Sequence, residues 1–165
     1  MSHTVTVTRT TTSTTTSAII LNTGYLKTLP GLLKLAQVII GAVILFIYIY
    51  NLDNTRVNFT SHRPEAFFIC IATSFFLGSF LLLLSCIISI STGSIIAKTT
   101  FEFIYHGGAF IFYIIASTIL LLEVSNDKYN SHYEKPFYVI SILGLINSIL
   151  YIVSAVFAYK SYKGV

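Results

Sequence analysis

Few polar side chains in this chain could do chemistry, and the three most suggestive are Gln37, Glu102 and His106. Glu102 and His106 are four residues apart, so on a helix they would share one face. A carboxylate beside an imidazole can bind or relay protons and small ions. Whether this trio is a site or a structural contact depends on the elements that carry it.

No catalytic or cofactor signature accompanies the trio. The sequence has no HExxH or other metal-ligand spacing and no glycine-rich nucleotide loop, and its histidines are dispersed. The ten Lys and Arg residues are scattered among loops and tails, so they form no basic patch for nucleic acid. We therefore predict that the protein is not an enzyme and has no cofactor, no metal and no nucleic-acid partner.

Four long apolar runs contain most of the hydrophobic residues, at about residues 32–50, 66–90, 103–122 and 137–159. A helix rises about 1.5 Å per residue and the hydrocarbon core is about 30 Å thick, so about 20 apolar residues cross it. The composition agrees, with 55% hydrophobic and 10% charged residues. The pattern predicts an all-α polytopic membrane protein, a four-helix transmembrane bundle with short loops. Lys34 then marks the margin of the first span.

The loop charges predict the orientation of this bundle. Four spans put both termini on one side, where six cations fall: Arg9, Lys27, Lys34, Lys98, Lys160 and Lys163. Four cations, interleaved with acidic residues, fall on the other side: Arg56, Arg63, Lys128 and Lys135. The positive-inside rule therefore predicts cytosolic termini. The predicted parts are a disordered Thr-rich cytosolic tail over residues 1–24, a membrane domain over 25–160 and a short cytosolic tail over 161–165.

Three sequence features suggest modification or sorting. Asn58 begins a glycosylation sequon that the predicted topology places outside the cell. Cys86 lies about one turn from the cytosolic end of its span, where S-palmitoylation is conceivable, although a buried apolar cysteine is the simpler interpretation. Tyr162 and Val165 fit a tyrosine-based sorting motif at the C-terminus.

Small and polar residues within the spans indicate where helices meet. They recur at helical spacing in the second span (Ser74, Gly78, Ser85 and Ser89) and in the fourth (Ser141, Gly144, Ser148 and Ala155, with Asn147 beside them). Packing inside one bundle is the favoured interpretation. The alternative is that one stripe faces another transmembrane protein, a second copy of the chain or an ordered lipid. Gly107 and Gly108 either bend the third helix or let another helix approach closely, and close packing is the favoured interpretation.

The depth of the polar trio also favours structure over transport. A transporter normally places charged groups or broken helices near the bilayer midplane, whereas Gln37, Glu102 and His106 lie near the predicted cytosolic margin. We interpret them first as a structural contact at the interface. The alternative interpretation is a site for ions or protons.

Two segments of the chain resemble the MARVEL family of four-span membrane proteins. Residues 26–37 read LKTLPGLLKLAQ, in which Pro30 suits the start of a helix, and residues 101–117 read FEFIYHGGAFIFYIIAS. The resemblance covers about residues 25–160. It is nearest to the branch of the myelin-and-lymphocyte protein, plasmolipin and the chemokine-like factors.

The resemblance implies a non-enzymatic membrane organiser in vesicle trafficking, membrane apposition or fusion, or cell junctions. Its partners would be membrane lipids, other transmembrane proteins and, as one option, further copies of itself. Its location would be the plasma membrane, trafficking vesicles or both. Two alternatives remain open, a small channel or transporter and an accessory subunit of a single client membrane protein.

Overall fold

The computed structural model describes residues 22–55, 63–126 and 134–164 of the chain, and these residues form five α-helices. In chain order the helices are α1 (Leu29–Thr55), α2 (Arg63–Ile88), α3 (Ile90–Ile96), α4 (Thr100–Ser125) and α5 (Glu134–Lys163). A 3₁₀ turn, Thr23–Lys27, precedes α1. The predicted all-α class is confirmed. Most of the predicted N-terminal tail and the sequon at Asn58 lie outside the described residues.

Four of the helices are long and apolar enough to cross a membrane. Their candidate spans are Leu29–Asn51, Pro64–Ile88, Thr100–Ser125 and Lys135–Lys163. Each begins before the corresponding predicted run, because polar residues at helix ends lower the local hydropathy without ending the helix. The four predicted spans are therefore confirmed in number and order.

The second long helix ends at Ile88, two residues before the end of the apolar run at about 66–90. Ser89 is extended (φ −134°, ψ 122°), and its hydroxyl accepts a hydrogen bond from the Thr92 N–H at 3.4 Å. A serine with an extended backbone that accepts from the third residue beyond it is a helix N-cap. Ser89 therefore closes α2 and starts the short helix α3.

The first and the last described residues of the chain lie at the same end of the bundle, which we call the terminal end. The starts of α1 and α4, the short helix α3 and the end of α5 meet there around one cavity. The Asn22 N–H also donates to the Ile87 carbonyl at 2.7 Å, so the residues before α1 are held against the end of α2. The first span therefore begins, and the last span ends, at the same end of the bundle, as an even number of spans requires.

Aromatic side chains fill the centre of the bundle and apolar side chains cover its outside. Tyr113 and Tyr151 are fully buried and stack with ring centroids 5.5 Å apart. Phe46 and Ile104, in contrast, are 70% and 65% exposed. Large exposed apolar side chains on every long helix are costly in water but suit a lipid environment.

The predicted stripe of small residues on α5 faces the interior. Ser141, Gly144, Asn147 and Ser148 are all buried. A Cβ added at Gly144 would come within 2.7 Å of the Phe68 ring. At Gly144 the backbone of α5 therefore approaches its neighbours too closely to leave room for a side chain.

The predicted stripe on α2 does not form one internal seam. Ser74 and Ser85 are exposed, and each hydroxyl donates to a carbonyl one turn earlier at 2.8 Å. Gly78, in contrast, lies at a helix contact, where an added Cβ would come within 2.9 Å of the Tyr105 ring. The expectation of close packing at Gly107 and Gly108 is not met either, since an added Cβ at each would meet nothing within 4 Å.

Candidate functional site

An ion pair between α1 and α4 anchors the terminal end. Lys34 Nζ lies 2.5 Å from Glu102 Oε1, and the two side chains are only 3% and 7% exposed. Lys34, which marks the margin of the first span, is buried because it lies on the face of α1 that is turned toward the bundle interior. A buried charge is tolerated when a partner of opposite charge and further hydrogen bonds compensate it.

Tyr25 supplies the second partner of Lys34. Lys34 Nζ donates to the Tyr25 hydroxyl at 2.9 Å, and the nitrogen is 5.7 Å from the ring centroid. The 3₁₀ turn positions this ring, since the Thr28 N–H and hydroxyl both donate to the Tyr25 carbonyl. Burial raises the pKa of Tyr25 to about 12, with Lys34 opposing the shift. The hydroxyl is therefore neutral at physiological pH.

Gln37 connects α1 to α5, one turn further along α1 than Lys34. Its amide nitrogen donates to the Ser154 hydroxyl at 2.8 Å and to the Leu150 carbonyl at 3.2 Å. The Gln37 side chain is fully buried. Because it bonds to a side chain and to the backbone of α5, Gln37 fixes both the rotation and the depth of the two helices.

His106 is the least satisfied polar side chain of the group. It is 1% exposed, and its ring packs on Tyr105 and Tyr151 at centroid distances of 5.1 and 5.8 Å. Neither ring nitrogen has a hydrogen-bond partner among the described residues. A buried polar atom without a partner costs about 1–3 kcal/mol, so water or a ligand is expected beside it.

A cavity of about 60 Å³ adjoins His106 at the terminal end. It is lined by Tyr25, Pro30, Lys34, Gly93, Ala97, Glu102, His106, Ser154, Phe157, Ala158 and Ser161. The volume gives room for about four water-sized groups. Largely apolar walls with a few converging polar groups are typical of a small binding site.

The sequence located this site in part. Glu102 and His106 both line the cavity, and Gln37 reaches it through Ser154. Lys34 and Tyr25 were missed as members of the site. The sequence did hold one signal for Lys34. Lys34 and Gln37 are three residues apart and therefore share one face of α1. Both lie at the same membrane margin as Glu102, an acidic residue on another span.

Most of the chain matches one known protein family. Residues 25–157 match the family model described as MARVEL: Membrane-associating domain. The chain belongs to the MARVEL family. The predicted family is thus confirmed, while the branch within it stays a prediction. No curated protein and no solved structure matches the chain. Within the MARVEL match, Tyr25 stands at the first position and the cavity-lining residue Phe157 at the last.

Deeper in the MARVEL domain, a hydroxyl network joins three helices. The Ser79 hydroxyl of α2 lies 3.0 Å from the Tyr105 hydroxyl of α4 and 2.8 Å from the Tyr151 hydroxyl of α5. Both tyrosines also donate to the Phe75 carbonyl, at 3.0 and 3.2 Å. The sequence analysis did not single out Ser79. It follows Gly78 in the chain and therefore lies about a quarter of a turn around the helix from the predicted stripe on α2.

The remaining predicted site residues lie apart from the cavity or outside the described residues. Cys86 of the MARVEL domain is fully buried beside Tyr25, so in this conformation an acyltransferase could not reach its thiol. Cys70 is exposed. Tyr162 is exposed near the C-terminus, whereas Val165 and Asn58 lie outside the described residues. Within the described ranges, no three His, Cys, Asp or Glu side chains cluster to hold a metal.

Replacing Tyr25 by alanine should uncover Cys86. Truncating this half-buried ring should weaken docking of the 3₁₀ turn by about 2 kcal/mol, a factor of about 30 in the open fraction. We expect Cys86 to react with a maleimide correspondingly faster in a Cys70→Ser background. Tyr162→Ala is the matched control, since that tyrosine is exposed at the same end and should leave the rate unchanged. An unchanged rate in Tyr25→Ala would contradict the covering role.

Proposed function

We propose that this MARVEL protein is a non-enzymatic membrane organiser that acts in vesicle trafficking, membrane apposition or fusion, or cell junctions. Family membership supports association with membranes. The finer proposal rests on one observation. Polar side chains of the bundle point inward, whereas large apolar side chains point outward. Such a protein has its contact area on the side that faces lipids and other transmembrane helices.

Two pockets open on this outer surface of the bundle. One, of about 390 Å³, lies between α4 and α5 and is lined by Phe103, Ile152, Ala155, Val156 and Tyr159. The other, of about 310 Å³, is lined by Ile114, Ile115, Thr118 and Ile119 of α4. Their linings are almost entirely apolar, so they suit acyl chains or the side chains of a neighbouring apolar helix.

The distribution of charge supports an organiser over a transporter. In the described helices the acidic and basic residues lie within about two turns of a helix end, and Lys34 and Glu102 neutralise each other. The middle of the bundle is filled by the fully buried rings of Tyr113 and Tyr151. Transporters instead place charged groups or broken helices near the midplane.

We also propose that both termini are cytosolic. At the terminal end the described basic residues are Lys27, Lys34, Lys98, Lys160 and Lys163, whereas Arg63 and Lys135 lie at the opposite end. This distribution supports the positive-inside orientation. Protease treatment of sealed vesicles should spare the Asn58 loop and remove a tag at either terminus. Cleavage of that loop from the cytosolic side would contradict the orientation.

The organiser role is tested by the location of the endogenously tagged protein at native expression in living tissue. We expect enrichment at vesicles, junctions or cell contact zones, and deletion should impair the process at that structure. An even spread over one membrane would contradict the proposal.

A reconstitution experiment separates the rival functions. Purified protein in liposomes should give no solute flux above that of empty liposomes, because the bundle centre is closed by aromatic rings. Robust flux would favour a channel or transporter. Loss of one client protein on deletion, with bulk trafficking intact, would instead favour an accessory subunit.

A further inference from the structure

We propose that the cavity at the terminal end, together with the lysines around it, binds the phosphate of an anionic phospholipid headgroup. The inference rests on the proposed function and deepens it, because it names a lipid class for an organiser that works through lipid contacts. Its test is a binding measurement on purified protein, so it can fail while the localisation experiment succeeds.

The first argument is the charge around the cavity. Lys27, Lys98 and Lys160 are exposed, and each lies one or two residues along the chain from a residue that lines the cavity. Among the residues described at this end, Glu102 is the only acidic one, and Lys34 already neutralises it. The rim therefore carries a net positive charge. At a membrane surface each such lysine contributes about a fivefold gain in affinity for anionic lipid.

The second argument is the presence of free hydrogen-bond donors inside the cavity. The Lys34 ammonium has three N–H groups, of which one faces Glu102 and one donates to Tyr25. His106 is 99% buried, lines the cavity and has no partner on either ring nitrogen among the described residues. In either protonation state an imidazole offers at least one N–H. Phosphate oxygens are the acceptors that suit an ammonium and an imidazole N–H together.

The third argument is size and depth. The volume of about 60 Å³ holds a few heavy atoms, enough for one phosphate group but not for a whole headgroup. The glycerol and acyl chains would remain outside. The cavity lies at the ends of the membrane-spanning helices, which is the level of lipid headgroups. A lipid anchored in the same bilayer would reach it more readily than free phosphate in solution.

The experiment is a titration of the full-length protein in detergent micelles, followed by native mass spectrometry. The probes are phosphatidic acid, phosphatidylcholine and inorganic phosphate. We expect one phosphatidic acid per protein, at least tenfold weaker binding of phosphatidylcholine, and no displacement of the lipid by millimolar inorganic phosphate. Displacement by inorganic phosphate would identify a free-anion site and overturn the lipid assignment.

Variants separate the cavity from general surface charge. The triple variant Lys27→Gln, Lys98→Gln, Lys160→Gln should bind phosphatidic acid about 100-fold more weakly, from three fivefold losses. His106→Phe keeps a buried ring but removes both nitrogens, and should cost about tenfold. Lys135→Gln, an exposed lysine at the opposite end, is the matched control and should change nothing.

Three results with the variants would overturn the proposal. They are an equal loss in Lys135→Gln, unchanged binding in His106→Phe, and unchanged binding in the triple lysine variant. The thermal unfolding temperature of each variant is measured alongside. Because the triple variant changes only exposed side chains, it keeps the test decisive even if His106→Phe alters the fold.

Discussion

Glu102→Gln should destabilise the bundle by about 3–5 kcal/mol. The change leaves the Lys34 ammonium buried without its counter-charge, and removing one partner of a buried ion pair costs this much in other proteins. Unfolding by SDS in mixed micelles, followed by circular dichroism, measures the loss.

The double variant Lys34→Met, Glu102→Gln is the control for the ion pair. Replacing both charges removes the uncompensated ammonium, so it should recover most of the stability lost in Glu102→Gln. A single variant within about 1 kcal/mol of the wild type would show that the pair is solvated. A double variant no better than the single one would show that Glu102 acts through some other contact.

Gly144→Val should destabilise the bundle by about 3 kcal/mol, at the upper end of the usual cost of overpacking. An added Cβ would come within 2.7 Å of the Phe68 ring and closer still to the Ser117 hydroxyl, and valine adds two further methyl groups. Neither neighbour can retreat easily, since both are fully buried. The same SDS unfolding measurement applies.

Gly107→Val is the matched control, because it makes the same chemical change in a membrane-spanning helix. An added Cβ there meets nothing within 4 Å, so only helix propensity should change, by about 0.5 kcal/mol in favour of the variant. Equal losses at Gly107 and Gly144 would show that any glycine substitution is harmful in these helices. The close approach at Gly144 would then not be the cause.

Hydropathy predicted the spans because the bilayer sets their length, but it could not place the end of α2. The stretch Ile88, Ser89, Ile90 is apolar enough to continue a membrane helix, and serine is tolerated within one. Whether Ser89 continues the helix or caps a new one depends on what packs there. The Asn22 N–H donates to the Ile87 carbonyl. This contact joins segments that are far apart in the chain, so no local sequence pattern contains it.

The faces of the helices were predictable only where the sequence is asymmetric. Glu102 and His106 stand out because they are charged or titratable in an apolar helix, and both do line the site. The serines of α2 carry no such signal, since that helix is apolar on all sides and hydrophobic periodicity then gives no preferred face. Ser74 consequently faces outward, while Ser79, at a position with no distinguishing pattern, lies in the centre.

Lys34 shows why the site itself was only half predicted. A lysine near the edge of an apolar run usually extends its ammonium toward the headgroups, and the sequence alone gives no reason to expect otherwise. Its burial follows from the packing of α1 and α4 against the same two helices, α2 and α5, which brings the Lys34 side chain close to Glu102 across the bundle. This proximity is a property of the tertiary fold, and one sequence does not specify which spans are neighbours.

The packing of the first long helix against the last has a practical consequence for experiments on self-association. The hydrogen bonds of Gln37 to Leu150 and Ser154 hold α1 beside α5, so the start of α1 and the end of α5 lie at the same end of the bundle. Halves of a split fluorescent protein fused to opposite termini should therefore reconstitute within one molecule and report correct folding. A reporter of contact between copies needs both halves on the same terminus, carried by separate chains.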